Sequence, residues 1–394
     1  MKTAVPHRSS AQLICAVIAC ALVLGLLCGG RIFAIHLEEK TIHTTAPQDF
    51  WIKNQGLALQ RVAARTPDIL LLYGSSELID PIPNRASDFF ATAPTGFEVC
   101  PIGKPGATSL VILQRLGALG SDLRGRKVAV SISPSFFFRH DLNTDSYAGN
   151  FSVEAASALL FSSTLDADLK RDIARRMLQF PETLGKSAVL KLAAQEIAYP
   201  SAFHDIVTAA IWPLAELQNV TLDLQDHFET LVFLLAGGRG ISHRTLHGLM
   251  HGQLGADDEN QGVKLEKGVG LIAHHGEAAF RERVQSAAEW TDLELMFRTL
   301  REIGTRPLVL SLPLNGSYYD AAGISRSARQ VYYDKLRDLA TRYGIDLIEF
   351  EDHDTDPDFQ ITRREHPTSY GWKFYDQALD EFFHDRVANR EGGS

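Results

Sequence analysis

The chain has 394 residues, 45% of them hydrophobic, enough for one large core or two modest ones and too apolar for a disordered chain. A formal net charge of -9, with no long Lys or Arg run, provides no field for gathering phosphates, so nucleic acid is not an expected partner.

The first element is Ala11 to Gly30, an apolar run broken only by Gln12 and preceded by Lys2, His7 and Arg8. It is long enough to cross a bilayer as a helix. Its basic flank assigns residues 1–10 to the cytoplasm and the chain beyond the span, 11–34, to the far side of the membrane. A cleaved signal peptide is the competing reading of the same run. Residues 35–66 are weakly periodic and read as a stem, and 67–394 read as the extracytoplasmic domain. Three of the four cysteines, Cys15, Cys20 and Cys28, lie in the span. Cys100 alone remains beyond it, so no internal disulfide is expected there, and a buried small hydrophobe is the simplest role for it.

Within the domain, four short apolar runs end in turn residues. Asp68–Tyr73 stops at Gly74, Lys127–Ile132 near Pro134, Pro307–Leu312 at Pro313, and Ile345–Phe350 at an acidic loop. Helical spacing separates and follows them, at Leu110, Leu113 and Leu116; at Leu293, Met296, Phe297 and Leu300; at Leu336, Leu339 and Tyr343; and at Phe374, Ala378 and Phe382. Strands alternating with helices predict an α/β fold, a mostly parallel sheet covered on both faces. Ligands bind such sheets at the carboxyl ends of the strands. Residues from about 140 to 285 carry helical patterns and read as an inserted helical subdomain.

A serine in the turn Gly74-Ser75-Ser76-Glu77, at the end of a buried strand, stands where backbone amides converge. A hydroxyl becomes a nucleophile only when a base takes its proton, and His366, in Glu365-His366-Pro367-Thr368 just ahead of the last helix, is the candidate base. Ser76 is the expected nucleophile, with Ser75 as the alternative. A glycine turn lets backbone approach substrate closely, which makes the N–H groups of Ser76 and Gly106 the expected oxyanion donors. Asn315 is read either as a further donor or as a turn former. His243, His247 and His251 would share a helix face, but Gly248 and Gly252 weaken that helix and no cysteine or acidic ligand follows at ligand spacing. His274-His275 makes no better site, and neither a metal nor a cofactor is expected.

Read together, five blocks resemble the DltD family. They are the Gly74–Glu77 turn, Ile102-Gly103-Lys104-Pro105-Gly106, Ser131-Ile132-Ser133-Pro134-Ser135-Phe136, Pro313-Leu314-Asn315-Gly316-Ser317-Tyr318-Tyr319-Asp320 with Gly323-Ile324-Ser325, and His366 to Trp372. The order serine first, histidine last is that of SGNH (GDSL-type) hydrolases, a flavodoxin-like arrangement. In the family an aspartate stands three residues before the histidine, and here that position is Arg363. The orienting acid is therefore sought in the preceding loop, among Asp352, Asp354, Asp356 and Asp358, with Asp358 chosen. The resemblance implies transfer of D-alanine, or a similar small acyl group, onto a cell-envelope polymer as an ester. It further implies a membrane-bound O-acyltransferase (DltB-like) and a small acyl carrier protein (DltC-like) as partners. An esterase or thioesterase on the same residues, or a scaffold for those partners, are the alternatives.

Overall fold

The computed structural model describes residues 8–237, 276–361 and 366–386. Helix α1 (Arg8–Thr45) begins with the apolar run. Among the described residues it is the one helix long and apolar enough to cross a membrane, with a stretch of mean hydropathy 2.7 of which none is buried. Its second half behaves differently. Ala34, Glu38, Ile42 and Ala46, four residues apart, are buried against the domain. The segment expected to be a stem is thus helical and docked. It continues as α2 (Trp51–Gln55) and α3 (Ala58–Arg65), whose Leu59, Val62 and Ala63 enter the core at helical spacing.

The four expected strands form, as β1 (Ile69–Gly74), β3 (Lys127–Ile132), β4 (Arg306–Ser311) and β5 (Asp346–Glu349). A fifth, β2 (Glu98–Gly103), was not legible from the apolar pattern. It contains Pro101, which cannot donate to a ladder and is tolerated because β2 lies at the sheet edge. The order is β2-β1-β3-β4-β5 and every pairing in the sheet is parallel. The chain therefore changes direction between β1 and β3, the place in such sheets where a crevice opens at the carboxyl ends.

Alternate strand residues feed opposite faces, as a period of two requires. Leu71, Tyr73, Val128, Val130 and Val309 join the larger core with α3, α5 (Ser109–Leu119), α13 (Glu289–Ile303) and α15 (Arg326–Tyr343). Leu70, Leu72, Ala129, Leu308 and Leu310 join the smaller one with α4 (Ala86–Thr92) and α16 (Ser369–Phe383). Each such buried aliphatic chain contributes about 1.5–3 kcal/mol of transfer free energy. Between β3 and β4 run α6 (Thr144–Asn150), α7 (Val153–Leu160), α8 (Ala167–Met177), α9 (Pro181–Leu184), α10 (Ala188–Ala198), α11 (His204–Leu235) and α12 (Gly276–Ser286). Leu159, Leu169, Ile173, Leu190 and Phe280 from these helices pack into the same core as the sheet, so the insertion shares the domain's interior. α14 (Gly316–Ala321) follows β4. The free Cys100 is fully buried, as its default role required. His243, His247, His251, His274, His275, Arg363 and Glu365 lie outside the described residues.

Candidate active site

β1 delivers the chain to Gly74 at the carboxyl edge of the sheet, and a short 3-10 turn, Ser76–Leu78, follows at once. The turn is fastened from below by Glu77, which is 1% exposed and whose Oε1 accepts the Ser75 N–H at 2.9 Å. Burial pushes the Glu77 carboxyl up, against the opposing pull of the Ser75 N–H and of His366 nearby. Gly103, the last residue of β2, lies so close that a Cβ there would come within 2.5 Å of the Ser75 carbonyl oxygen. Only glycine allows the two strand ends to meet this way.

His366 arrives from the other end of the chain. An isolated antiparallel bridge between Gln360 and Pro367 and hydrogen bonds from Ile361 N–H to His366 O (2.9 Å) and from Thr368 N–H to Phe359 O (2.9 Å) fix its backbone. Thr368 then caps α16, its side chain accepting from the N–H groups of Tyr370 and Gly371. The imidazole is held at the front of that helix, with 13% of its side chain exposed.

Ser76 Oγ and His366 Nε2 are 2.8 Å apart. His366 Nδ1 lies 2.6 Å from Asp80 Oδ2. An ionised carboxylate can only accept, so Nδ1 carries the proton and Nε2 is left to accept from the serine. Ser76, His366 and Asp80 therefore form a nucleophile, base and orienting-acid geometry.

Two expected site residues make other contacts. Asp358 is exposed, its own N–H donates to Asp356 Oδ1 at 3.0 Å, and it makes no contact with His366. Two others of the acidic loop are paired elsewhere, and Asp352 is exposed. Asp354, 5% exposed, pairs with the buried Arg329 at 3.2 Å, and Asp356 pairs with His353 at 3.2 Å. The carboxylate that meets His366 is instead Asp80, to which chain proximity to the histidine does not point. The available signal was its position four residues after Ser76: a helical turn puts both side chains on one face, and Asp80 N–H donates to Ser76 O at 3.2 Å.

Gly106 is the second correction. Its φ of +76° and a would-be Cβ only 2.9 Å from Ser146 Cβ explain the glycine. Its N–H, however, donates to Ser75 Oγ at 3.1 Å, while that hydroxyl donates to Lys104 O at 3.3 Å. The amide holds the loop against Ser75 and is not an open donor. Asn315 serves its turn, Oδ1 accepting the Tyr318 N–H at 3.0 Å at the start of α14. No group of three or more His, Cys, Asp or Glu with metal-binding geometry occurs among the described residues.

A shallow depression, open to solvent, is lined by Gly106 of the loop beside the serine turn. Thr108, Phe136, Leu142, Asn143 and Glu289 also line it.

The chain matches the model of the DltD protein family over residues 51–253 and 272–384, which include the serine turn and the histidine. It is 25% identical over 343 residues to Protein DltD of Bacillus subtilis (strain 168), covering 84% of this chain and 86% of that protein. To Protein DltD of Staphylococcus aureus (strain NCTC 8325 / PS 47) it is 22% identical over 377 residues, covering 90% and 94%. With a parallel α/β sheet, a Ser–His–Asp relay at its carboxyl edge and a family match across most of its length, this chain belongs to the DltD family.

Proposed function

We propose that the protein is an envelope-anchored acyltransferase that places D-alanine, or a similar small acyl group, as an ester on a cell-envelope polymer through an SGNH-like serine centre. The observation that carries this reading is the relay Ser76 Oγ–His366 Nε2–Asp80 at 2.8 and 2.6 Å.

In the first half-reaction Ser76 Oγ attacks the carbonyl carbon of an activated acyl ester or thioester as His366 Nε2 takes the hydroxyl proton. The bond to the donor's oxygen or sulfur breaks, and His366 returns the proton to that leaving group, leaving an acyl-serine ester. In the second, a polymer hydroxyl attacks the same carbon, His366 takes its proton, the Ser76 Oγ–acyl bond breaks, and the proton returns to Oγ. Asp80 holds the imidazole in its tautomer and stabilises the imidazolium formed in each half. The first N–H groups of a helical turn have no partner within it, so the Ser76 amide is the donor assigned to the oxyanion.

The basic residues Lys2, His7 and Arg8 ahead of the apolar run favour an extracytoplasmic domain on a single-pass anchor. Donation by a membrane-bound O-acyltransferase, loaded from a small acyl carrier protein, fits that placement. The test is alkali-released D-alanine from envelopes of a deletion strain carrying wild type, Ser76→Ala or His366→Ala. Loss of the ester in both variants at unchanged protein level supports transfer through the serine. Full ester with either variant leaves a scaffold as the function.

A further inference from the structure

Helices α1 and α11 run side by side in the same direction. Arg31 Nε lies 2.8 Å from Asp223, Glu38 lies 2.8 Å from His227 Nδ1, and the rings of Phe50, just past α1, and Phe233 stack with centroids 4.4 Å apart. Arg31 directly follows the apolar run of α1. The part of α11 ahead of Asp223 therefore points to the side from which that run comes. At about 1.5 Å per residue it extends about 28 Å that way.

This part of α11 has two unlike faces. Ile211 and Ala215 are buried, and Gln218 and Asn219 are hydrogen-bonded at 2.6 Å to Ser187 and Ser157, which fixes the helix on α7 and the start of α10. The other face carries Ile206, Ala210, Pro213, Leu214, Leu217 and Val220, spaced to share one side and with no charged residue among them. Ile206, Leu214, Leu217 and Val220 are 53–69% exposed. Tyr199 and Phe203, ahead of the helix, and Trp212 within it widen the exposed apolar surface. Asp205 and Glu216 border the strip on the side of α1, where carboxylates can stay at the level of lipid headgroups.

Soluble monomers rarely leave so long an apolar strip in water. A helix with one wholly apolar face, and Tyr and Trp beside it, suits the interface of a bilayer, where such a face sinks about 5–10 Å. Direction selects that occupant here, because α1 brings the bilayer to the same end of the domain toward which the strip points.

We propose that the N-terminal half of α11 lies in the bilayer interface through Ile206, Leu214, Leu217 and Val220, as a second membrane contact beside the span. Two contacts joined by the Arg31–Asp223 and Glu38–His227 pairs hold the domain at one height and tilt over the membrane, where a single tether would let it swing. This rests on the reading of α1 as a membrane anchor.

The test is quenching of a fluorophore by nitroxide-bearing lipids, on the full chain in nanodiscs. Cys15, Cys20 and Cys28 are replaced by serine, and the buried Cys100 is not labelled. Single labels are placed through Leu22→Cys in the span and through Ile206→Cys, Leu217→Cys and Leu235→Cys along α11. Leu235 is equally exposed, but it lies at the end of α11 that points away from the span. Labels at Ile206 and Leu217 should lose emission, more to a nitroxide near the headgroup than to one at the chain end, while the label at Leu235 keeps its emission. Leu214→Glu with Val220→Glu, both exposed in the fold, should restore the emission at Ile206 and Leu217 and leave Leu22 quenched. A quenched Leu22 with Ile206 and Leu217 as bright as Leu235 overturns the proposal and leaves a protein surface as the occupant of the strip. Equal quenching along all of α11, or quenching that survives the two glutamates, overturns it as well. An unquenched Leu22 beside quenched Ile206 and Leu217 would sink the anchor reading and sustain the contact of α11.

Discussion

Asp80 Oδ2 lies 2.6 Å from His366 Nδ1 although the two residues are 286 positions apart, while Asp80 is only four residues from the serine that the same imidazole faces. One turn after β1 thus carries both Ser76 and Asp80, and the C-terminal segment brings His366 between them. If that relay drives transfer, Asp80→Asn should lower the acylation rate by about 10²- to 10⁴-fold, because the amide no longer enforces the tautomer in which Nε2 accepts from Ser76. Asp358→Ala should leave it within about twofold, as expected for an exposed residue outside the relay. Single-turnover acylation with a chromogenic ester reads both, and equal losses in the two variants would return the acid to the Asp352–Asp358 loop.

The contrast between these aspartates shows what the sequence discloses and where it stops. β1, β3 and β4 were legible because they are largely buried and read as continuous apolar runs, while the edge strand β5 was marked by Leu347 and Ile348 ahead of an acidic loop. β2 was not, since Glu98 and Pro101 interrupt its run and edge pairing with β1 is what makes it a strand. Ser76 and His366 could be placed because each follows a local signal, a strand end and a helix cap. Which carboxylate meets the histidine is a long-range contact, and chain proximity to His366 pointed to the wrong loop. The docking of residues 35–66 was hidden for the same reason: the stretch is weakly periodic, and only the folded core shows what Ile42, Leu59, Val62 and Ala63 pack on.

Glu77 is a positioning residue whose effect passes through the Ser75 backbone. Glu77→Leu should remove the acceptor for the Ser75 N–H, cost about 1–3 kcal/mol as that buried amide loses its partner, and lower the acylation rate with little change in donor binding. Glu77→Gln, whose Oε1 still accepts, should restore most of the rate. Acylation kinetics alongside thermal melts of the three proteins check this; a Gln variant as slow as the Leu variant would mean that the carboxyl acts through its charge.

Helix α1 is tied to the domain by polar pairs between α1 and α11. Arg31 Nε lies 2.8 Å from Asp223, and the buried Glu38 meets His227 Nδ1 at 2.8 Å. Removing one member of a buried pair strands the other, so His227→Leu should cost about 3–5 kcal/mol. Glu38→Leu combined with His227→Leu should recover most of that, because no polar group is then left unpaired. A double-mutant cycle from urea unfolding of the solubilised chain gives the coupling, and additive losses would show that the pair does not hold α1 in place.

Asp376 on α16 is 4% exposed, has an unpartnered Oδ1, and burial alone pushes its carboxyl up to about 8. Because the folded value is raised, the native state holds a proton that the unfolded chain has already lost through the window from ordinary carboxylate pH to about 8. Stability from this group is full below that window and declines as pH rises across it, by at most about 1.4 kcal/mol per pH unit. Glu289 and Asp226, pushed up to about 8 and about 6 by burial, add slopes of the same sign, so the informative quantity is the difference from Asp376→Asn. The Asn side chain never ionises. The two proteins should melt at similar temperatures near pH 4, and the Asn variant should gain steadily up to pH 8. A constant offset across that range would mean that Asp376 is ionised in the folded protein and has found a partner for its charge.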